Sequence, residues 1–253
     1  MIKLSPLFLT AFLLCSINSY AETNFAEDTF EKAWKNPNFT QIELNDVDVN
    51  EIIKNHYVTD SSVQFTRTML WDMETKKAWD PVSYIPYAAQ NGLSWGRKEL
   101  PNGNEVFVRS TDQKQWLNPE VFEQVFELVY LNHQEQKATF LGVNCVVDPS
   151  QRWAEKENEQ PLFHVQHVVG GTEESPLNKW KIVHLTIGKD PRLIHLFKER
   201  IQADRLPGYI ENYIIKDLRI SFIHEPKSTP DETPSTGSEP KVNHSSIEEG
   251  ARN

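Results

Sequence analysis

The strongest constraint on this chain is a block of short apolar runs between Glu105 and Ile187, bracketed on both sides by segments with helical spacing. In residues 105–109, Val106 and Val108 alternate with Phe107. Phe122, Phe126, Leu128 and Tyr130 line one face of a second run, and residues 138–147 make a third. Asn132 to Glu135 sits between those two and is suited to close a hairpin. Residues 163–169 end at Gly170-Gly171, and in residues 180–187 Ile182 and His184 alternate with Val183 and Leu185. Period-two runs rich in β-branched and aromatic residues predict strands. The second run carries a conflict. Asn118-Pro119-Glu120 is also a strong helix start, and Val121, Val125 and Val129 fit a helix. Residues 119–131 therefore stay open between strand and helix, with composition favouring strand.

The flanks read differently. Phe25, Phe30, Ala33 and Trp34 form an apolar face before Asn36-Pro37 stops it. Ile42 and Leu44 alternate as in a strand, whereas Val49, Ile52 and Ile53 have helical spacing. Asp60-Ser61-Ser62 is a good N-cap cluster ahead of Val63, Thr66, Met69, Leu70 and Met73. After the strands, Asp190 caps a helix, Pro191 takes its first position, and Leu193, Leu196, Phe197 and Ile201 make its buried stripe. Leu206-Pro207-Gly208 breaks it, and Tyr209, Ile210, Tyr213, Ile214 and Leu218 resume it. The predicted class is α+β: an antiparallel sheet flanked by N-terminal and C-terminal helices.

Three regions differ in composition. Residues 1–21 read as a cleavable secretory signal peptide: Lys3 supplies the positive end, residues 4–14 the apolar stretch, and Ser19 and Ala21 the small residues before the cut. At about 11 residues the apolar stretch falls short of the roughly 20 that a membrane helix needs. A buried N-terminal helix and a lipoprotein start at Cys15 are the alternatives, though Leu14 is a poor residue before a lipidated cysteine. Residues 22–225 read as one globular domain. Residues 226–253 are rich in Pro, Ser, Thr and Glu with only Val242 and Ile247 as large aliphatics, a composition that predicts disorder. The expected destination is therefore the periplasm or the secreted fraction, with no integral membrane segment once the signal is removed. Export would leave Cys145 as a lone thiol. The net charge of -10 becomes -11 when Lys3 leaves. Such acidity argues against nucleic acid as partner.

No motif specifies a cofactor or a catalytic centre. His164 and His167 lie three apart, which on a strand turns them to opposite faces, one inward and one outward, so no metal site is expected. Cys145 sits in an apolar strand, as small core residues do. Asp72, Glu74 and Asp80 beside Trp71 and Trp79 would suit glycoside chemistry, but near neighbours on a surface helix are the commoner meaning. The aromatic string Trp71, Trp79, Tyr84, Tyr87 and Trp95 is the candidate ligand-binding set, because aromatics at a helix–sheet boundary line apolar pockets.

Trp71-Asp72-Met73-Glu74 followed by Trp79-Asp80-Pro81 resembles the START and Bet v 1-like (helix-grip) families. The match covers about a dozen residues, and the order of strands followed by a helix is also similar. The resemblance implies a curved sheet gripping a C-terminal helix around a cavity for a lipid-like molecule. The long extension over residues 22–59 and the insertion over residues 149–161 depart from the family, and no family contact residue carries over. The expected function is binding of a hydrophobic small molecule. The alternatives are an interaction module of a cell-envelope or secreted assembly, with a protein partner reached through the tail, and a secreted hydrolase.

Overall fold

The structure, a computed structural model, describes residues 25–156, 162–200 and 204–225. Residues 1–21 and 226–253, where the sequence predicts a signal peptide and a disordered tail, lie outside them. The described elements are α1 (Phe25–Trp34), β1 (Thr40–Glu43), β2 (Val47–Asp48), α2 (Val49–His56), β3 (Tyr57–Thr59), α3 (Arg67–Trp79) and α4 (Pro81–Tyr84). Then come β4 (Ala89–Glu99), β5 (Glu105–Lys114), β6 (Phe122–Asn132), β7 (Lys137–Val143), β8 (Cys145–Val147), β9 (Trp153–Glu155), β10 (Phe163–Gly171) and β11 (Pro176–His184). Finally come α5 (Pro191–Arg200), α6 (Gly208–Lys216) and β12 (Phe222–His224).

An eight-stranded antiparallel sheet dominates, in the order β1-β11-β10-β7-β6-β5-β4, with β2 also paired to β11. The strands from β4 to β11 run as a meander interrupted only by the small β8–β9 hairpin. The N-terminal β1 closes the far edge on β11. The predicted α+β class holds. Both faces of the sheet are covered, which alternation alone did not reveal. On one face Ala26, Phe30 and Ala33 of α1 join Val106, Val108, Phe126, Leu128, Leu141 and Val183. On the other, α2, α3, α5 and α6 bring Ile53, Leu70, Met73, Leu193 and Ile214 against Phe107, Val129, Phe140, Val165 and Ile182.

This two-sided burial decides the open case at residues 119–131. Asn118 does not start a helix; its carbonyl accepts from Val121 N at 3.0 Å in a turn, and β6 follows. Val125 and Val129 face the helices α3 and α6, while Phe126, Leu128 and Tyr130 face α1. A strand buried on both sides reads as a near-continuous apolar run, which also fits a helix.

Several boundaries differ from the predicted ones: the run expected over residues 138–147 breaks at Asn144 into β7 and the separate β8, and the strand expected over residues 180–187 is β11, Pro176–His184. The helix expected after Asp60-Ser61-Ser62 begins later, at Arg67, where Thr66 Oγ1 accepts from Met69 N at 3.0 Å. The intervening chain is held extended because Asn50 clasps Phe65: Phe65 N donates to Asn50 Oδ1 at 2.8 Å, and Asn50 Nδ2 donates to Phe65 O at 2.9 Å. The clasp fixes the fully buried Phe65 ring in the core. Strand β4 has no apolar signature in the sequence. It is the exposed edge of the sheet and carries two register shifts, one beside Gly96 at φ +66°. A polar, bulged edge resists pairing with another chain.

Candidate functional site

The five aromatics of the predicted ligand set do not converge. Trp71 is buried on the α3 side, and its Nε1 donates to His133 Nδ1 at 3.2 Å. Trp79 packs edge-on against Phe107 at 5.1 Å, with the Arg97 guanidinium 5.2 Å from its ring. Tyr84 is buried and donates to Asp217 Oδ2 at 2.9 Å. Tyr87 is 51% exposed and lies against Gly208, where a Cβ would come within 2.8 Å of its ring. Trp95 belongs to the opposite, α1-facing cluster and donates to Val147 O at 2.9 Å. Trp71, Trp79 and Tyr84 thus share one core, and Trp95 and Tyr87 lie apart from it.

The acidic cluster separates likewise. Asp72 Oδ2 accepts from Tyr213 OH at 2.7 Å and pairs with Lys76 at 2.8 Å, tying α3 to α6. Asp80 Oδ1 caps α4 by accepting from Ser83 N at 3.2 Å. Glu74, expected on a surface, is fully buried. It faces Lys77 of the same helix, with Lys77 Nζ 2.6 Å from Glu74 Oε2. That ammonium also lies 2.9 Å from His167 Nδ1 and 3.9 Å from the Tyr209 ring centroid. Asn178 Nδ2 donates to Glu74 Oε1 at 3.1 Å, and Tyr209 OH donates to Asn178 Oδ1 at 2.9 Å. Beside this chain, Arg109 Nε donates to Glu127 Oε2 at 2.6 Å while its Nη1 donates to Ala78 O at 3.0 Å. The sheet thereby caps a carbonyl at the C-terminal end of α3, where the helix dipole is negative.

Burial pushes the His167 imidazole down, so the ring is neutral near pH 7. Burial would raise the Glu74 carboxyl, yet the facing His167 and Lys77 together outweigh it and hold the group ionised. Burial likewise pulls Lys77 down, against the pull of Glu74. Perturbed groups of this kind often mark reaction centres. Here Glu74, Lys77, His167 and Tyr209 are all buried, and their hydrogen bonds join α3, α6, β10 and β11 to one another. The network's evident work is to fix two helices on the sheet.

His164 and His167 do point to opposite faces, but both are buried, because α1 covers the face that the alternation leaves to solvent. Cys145 is held in a disulfide in the full chain; the expectation of a lone thiol concerns the chain after residues 1–21 are removed. Among the described residues, no group of three or more His, Cys, Asp or Glu is placed to hold a metal ion. No helix among them is long and apolar enough to cross a membrane.

A cleft of about 380 Å³ opens elsewhere, at the end of the sheet under α5. Its walls come from Glu123 of β6, Phe163 of β10, His184 of β11, the 115–117 loop, and the β11–α5 connection with Thr186, Asp190, Arg192 and Leu193. None of the five predicted aromatics lines it. The loop is shaped by Gln115 N donating to Val121 O at 2.9 Å, which presents Trp116 across the cleft. The Trp116 ring stacks at a tilt on Phe163 at 4.4 Å and meets Phe197 edge-on at 4.8 Å. Asp190 N donates to Oγ1 of the fully buried Thr40 at 2.9 Å, anchoring the start of α5 to β1. Gly142 is required beneath, since a Cβ there would stand 2.5 Å from Phe163 O.

Two polar atoms at this cleft are buried without a hydrogen-bond partner: Glu123 Oε2 and His184 Nδ1. Burial lowers the His184 imidazole, against the attraction of Asp190. Unsatisfied buried groups are uncommon and call for an explanation such as a ligand or ordered water. Composition offered no signal for this site, because Trp116 stands alone between Gln115 and Leu117 and its partners are 47 and more residues away. No protein-family model matches the chain, and no curated protein matches it.

Proposed function

We propose that this is an exported protein that binds a small hydrophobic molecule in the cleft under α5, with Trp116 and Phe163 as its apolar wall. The carrying observation is the coincidence, in one open cleft of ligand size, of stacked aromatics with two unpartnered polar atoms. Small-molecule sites pair an apolar lining with a few polar groups that fix orientation. The START and Bet v 1-like resemblance leads to the same reading, with α5 over the sheet end in the role of the gripping helix. Export rests on residues 1–21, and the periplasm or the secreted fraction is the proposed destination.

A second reading, an interaction module of an envelope or secreted assembly, is favoured by Val58 and Ile223. They sit directly opposite on the β3–β12 ribbon and are 51% and 68% exposed. Native and denaturing mass spectrometry of the protein from its own exported fraction distinguishes the two. A small extra mass lost on denaturation supports the ligand carrier. A bare chain, or one accompanied only by a second protein, contradicts it and favours the module. For the third reading, a secreted hydrolase, Asp72 joins α3 to α6 and Asp80 caps α4.

A further inference from the structure

Resting on the cleft being a binding site, we infer the class of its ligand: an amine or organic cation carried on an apolar body, with the cationic nitrogen directed to Glu123. Of the residues lining the cleft, Glu123 and Asp190 carry carboxylates and Arg192 alone carries a fixed positive charge. That guanidinium is already engaged. Arg192 Nε and Nη2 donate to Asp190 Oδ1 and Oδ2 at 3.0 and 2.7 Å, and Arg192 N donates to the same carboxylate at 3.0 Å. Asp190 and Arg192 therefore neutralise each other, and the charge left at the wall is that of Glu123.

The atoms around that charge suit a cation. Glu123 Oε2 is buried and accepts from no group of the protein. His184, whose imidazole is kept neutral near pH 7, offers a buried Nδ1 that can accept a hydrogen bond from the same ligand. Lys156 feels the Glu123 charge but is not among the residues lining the cleft. Trp116 adds an indole ring, the aromatic that attracts cations best. An anionic ligand meets the opposite: a carboxylate whose Oε2 accepts no hydrogen bond, a single cationic wall residue that is already engaged, and electron-rich ring faces. A neutral apolar ligand would fill the cleft and leave Glu123 Oε2 unpartnered, at the cost that a buried acceptor carries when its bond is not made.

The test uses three probes with one apolar body: 1-naphthylmethylamine, 1-ethylnaphthalene and 1-naphthylacetate, titrated calorimetrically into the full chain at pH 7.5. The expected order places the amine about tenfold or more tighter than the neutral probe, with the carboxylate weakest. In Glu123→Gln, whose fold is checked by circular dichroism, amine and neutral probes should bind alike, and the neutral probe should bind as it does in the unsubstituted chain. Equal binding of amine and neutral probes to the unsubstituted chain overturns the ligand class and leaves the cleft reading standing. So does an amine preference that survives Glu123→Gln. Binding of none of the three overturns both.

Discussion

At the level of single residues, the molecule separates polar groups that serve the fold from those left over. Glu74 and Lys77 form a buried ion pair and Tyr209 reaches Glu74 through Asn178, although Glu74 Oε2 has no hydrogen-bond partner; a buried pair of this kind is weak evidence for net stability but costly to break. His164 shows how burial alone acts. It lies on the α1 side of β10, paired across the sheet with Leu141 and Val183. Its Nδ1 has no partner, and burial pushes its imidazole down to about 4. The unfolded chain binds the proton more tightly than the folded one. The stabilisation is therefore complete above pH 6.5 and is lost as the pH falls through about 4. Urea unfolding at pH 7, 5.5 and 4.5 should show the unsubstituted chain losing stability faster than His164→Phe. The gap should reach on the order of 2–3 kcal/mol at the acid end. Parallel curves for the two proteins would show that His164 takes no part in acid lability.

Secondary structure was legible in the sequence where one physical cause wrote the pattern, and obscure where two causes overlapped. The alternation in β5 and β11 and the Pro191 start of α5 follow from pleat and cap chemistry: α5 and β5 begin where the spacing predicts, while β5 runs on to Lys114 and β11 lies four residues earlier at its start and ends at His184. β6 was ambiguous because a strand buried on both faces loses its alternation. β4 was invisible because an edge strand needs no apolar face, and α3 began late because a tertiary contact, the Asn50 clasp on Phe65, overrode the local Asp60-Ser61-Ser62 signal. The cleft depends on an element contact of the same long-range kind. Gly142 in β7 lets Phe163 of β10 approach, and Phe163 is the surface on which Trp116 rests. Gly142→Ala should force β10 outward, lowering stability by about 1–3 kcal/mol in urea unfolding. It should also weaken 1-ethylnaphthalene binding. Unchanged stability and binding together would mean that the β7–β10 spacing does not set the cleft floor.

Over the whole molecule, aromatic content was a sound guide to the existence of a large core. Four of the five aromatics between Trp71 and Trp95 are absorbed in the two packed faces of the sheet, as large rings usually are. A cleft arises instead where the faces run out, at the sheet end that α5 only partly covers. Its walls come from Gln115 to Leu193, a separation that no local pattern encodes. The fold class was thus written in short-range periodicity, whereas the candidate site was written in the meeting of strand ends, a loop and a late helix.

On the proposed reading, a small hydrophobic molecule binds in the Trp116 cleft and not at the aromatic string from Trp71 to Trp95. The most direct measurement is calorimetric binding of 1-ethylnaphthalene to the unsubstituted chain, to Trp116→Leu and to Trp79→Phe, each first shown to be folded. Trp116→Leu should weaken binding by about tenfold or more while Trp79→Phe should leave it within about twofold. Binding that survives Trp116→Leu and fails in Trp79→Phe would contradict that reading and return the site to the Trp71–Trp95 string.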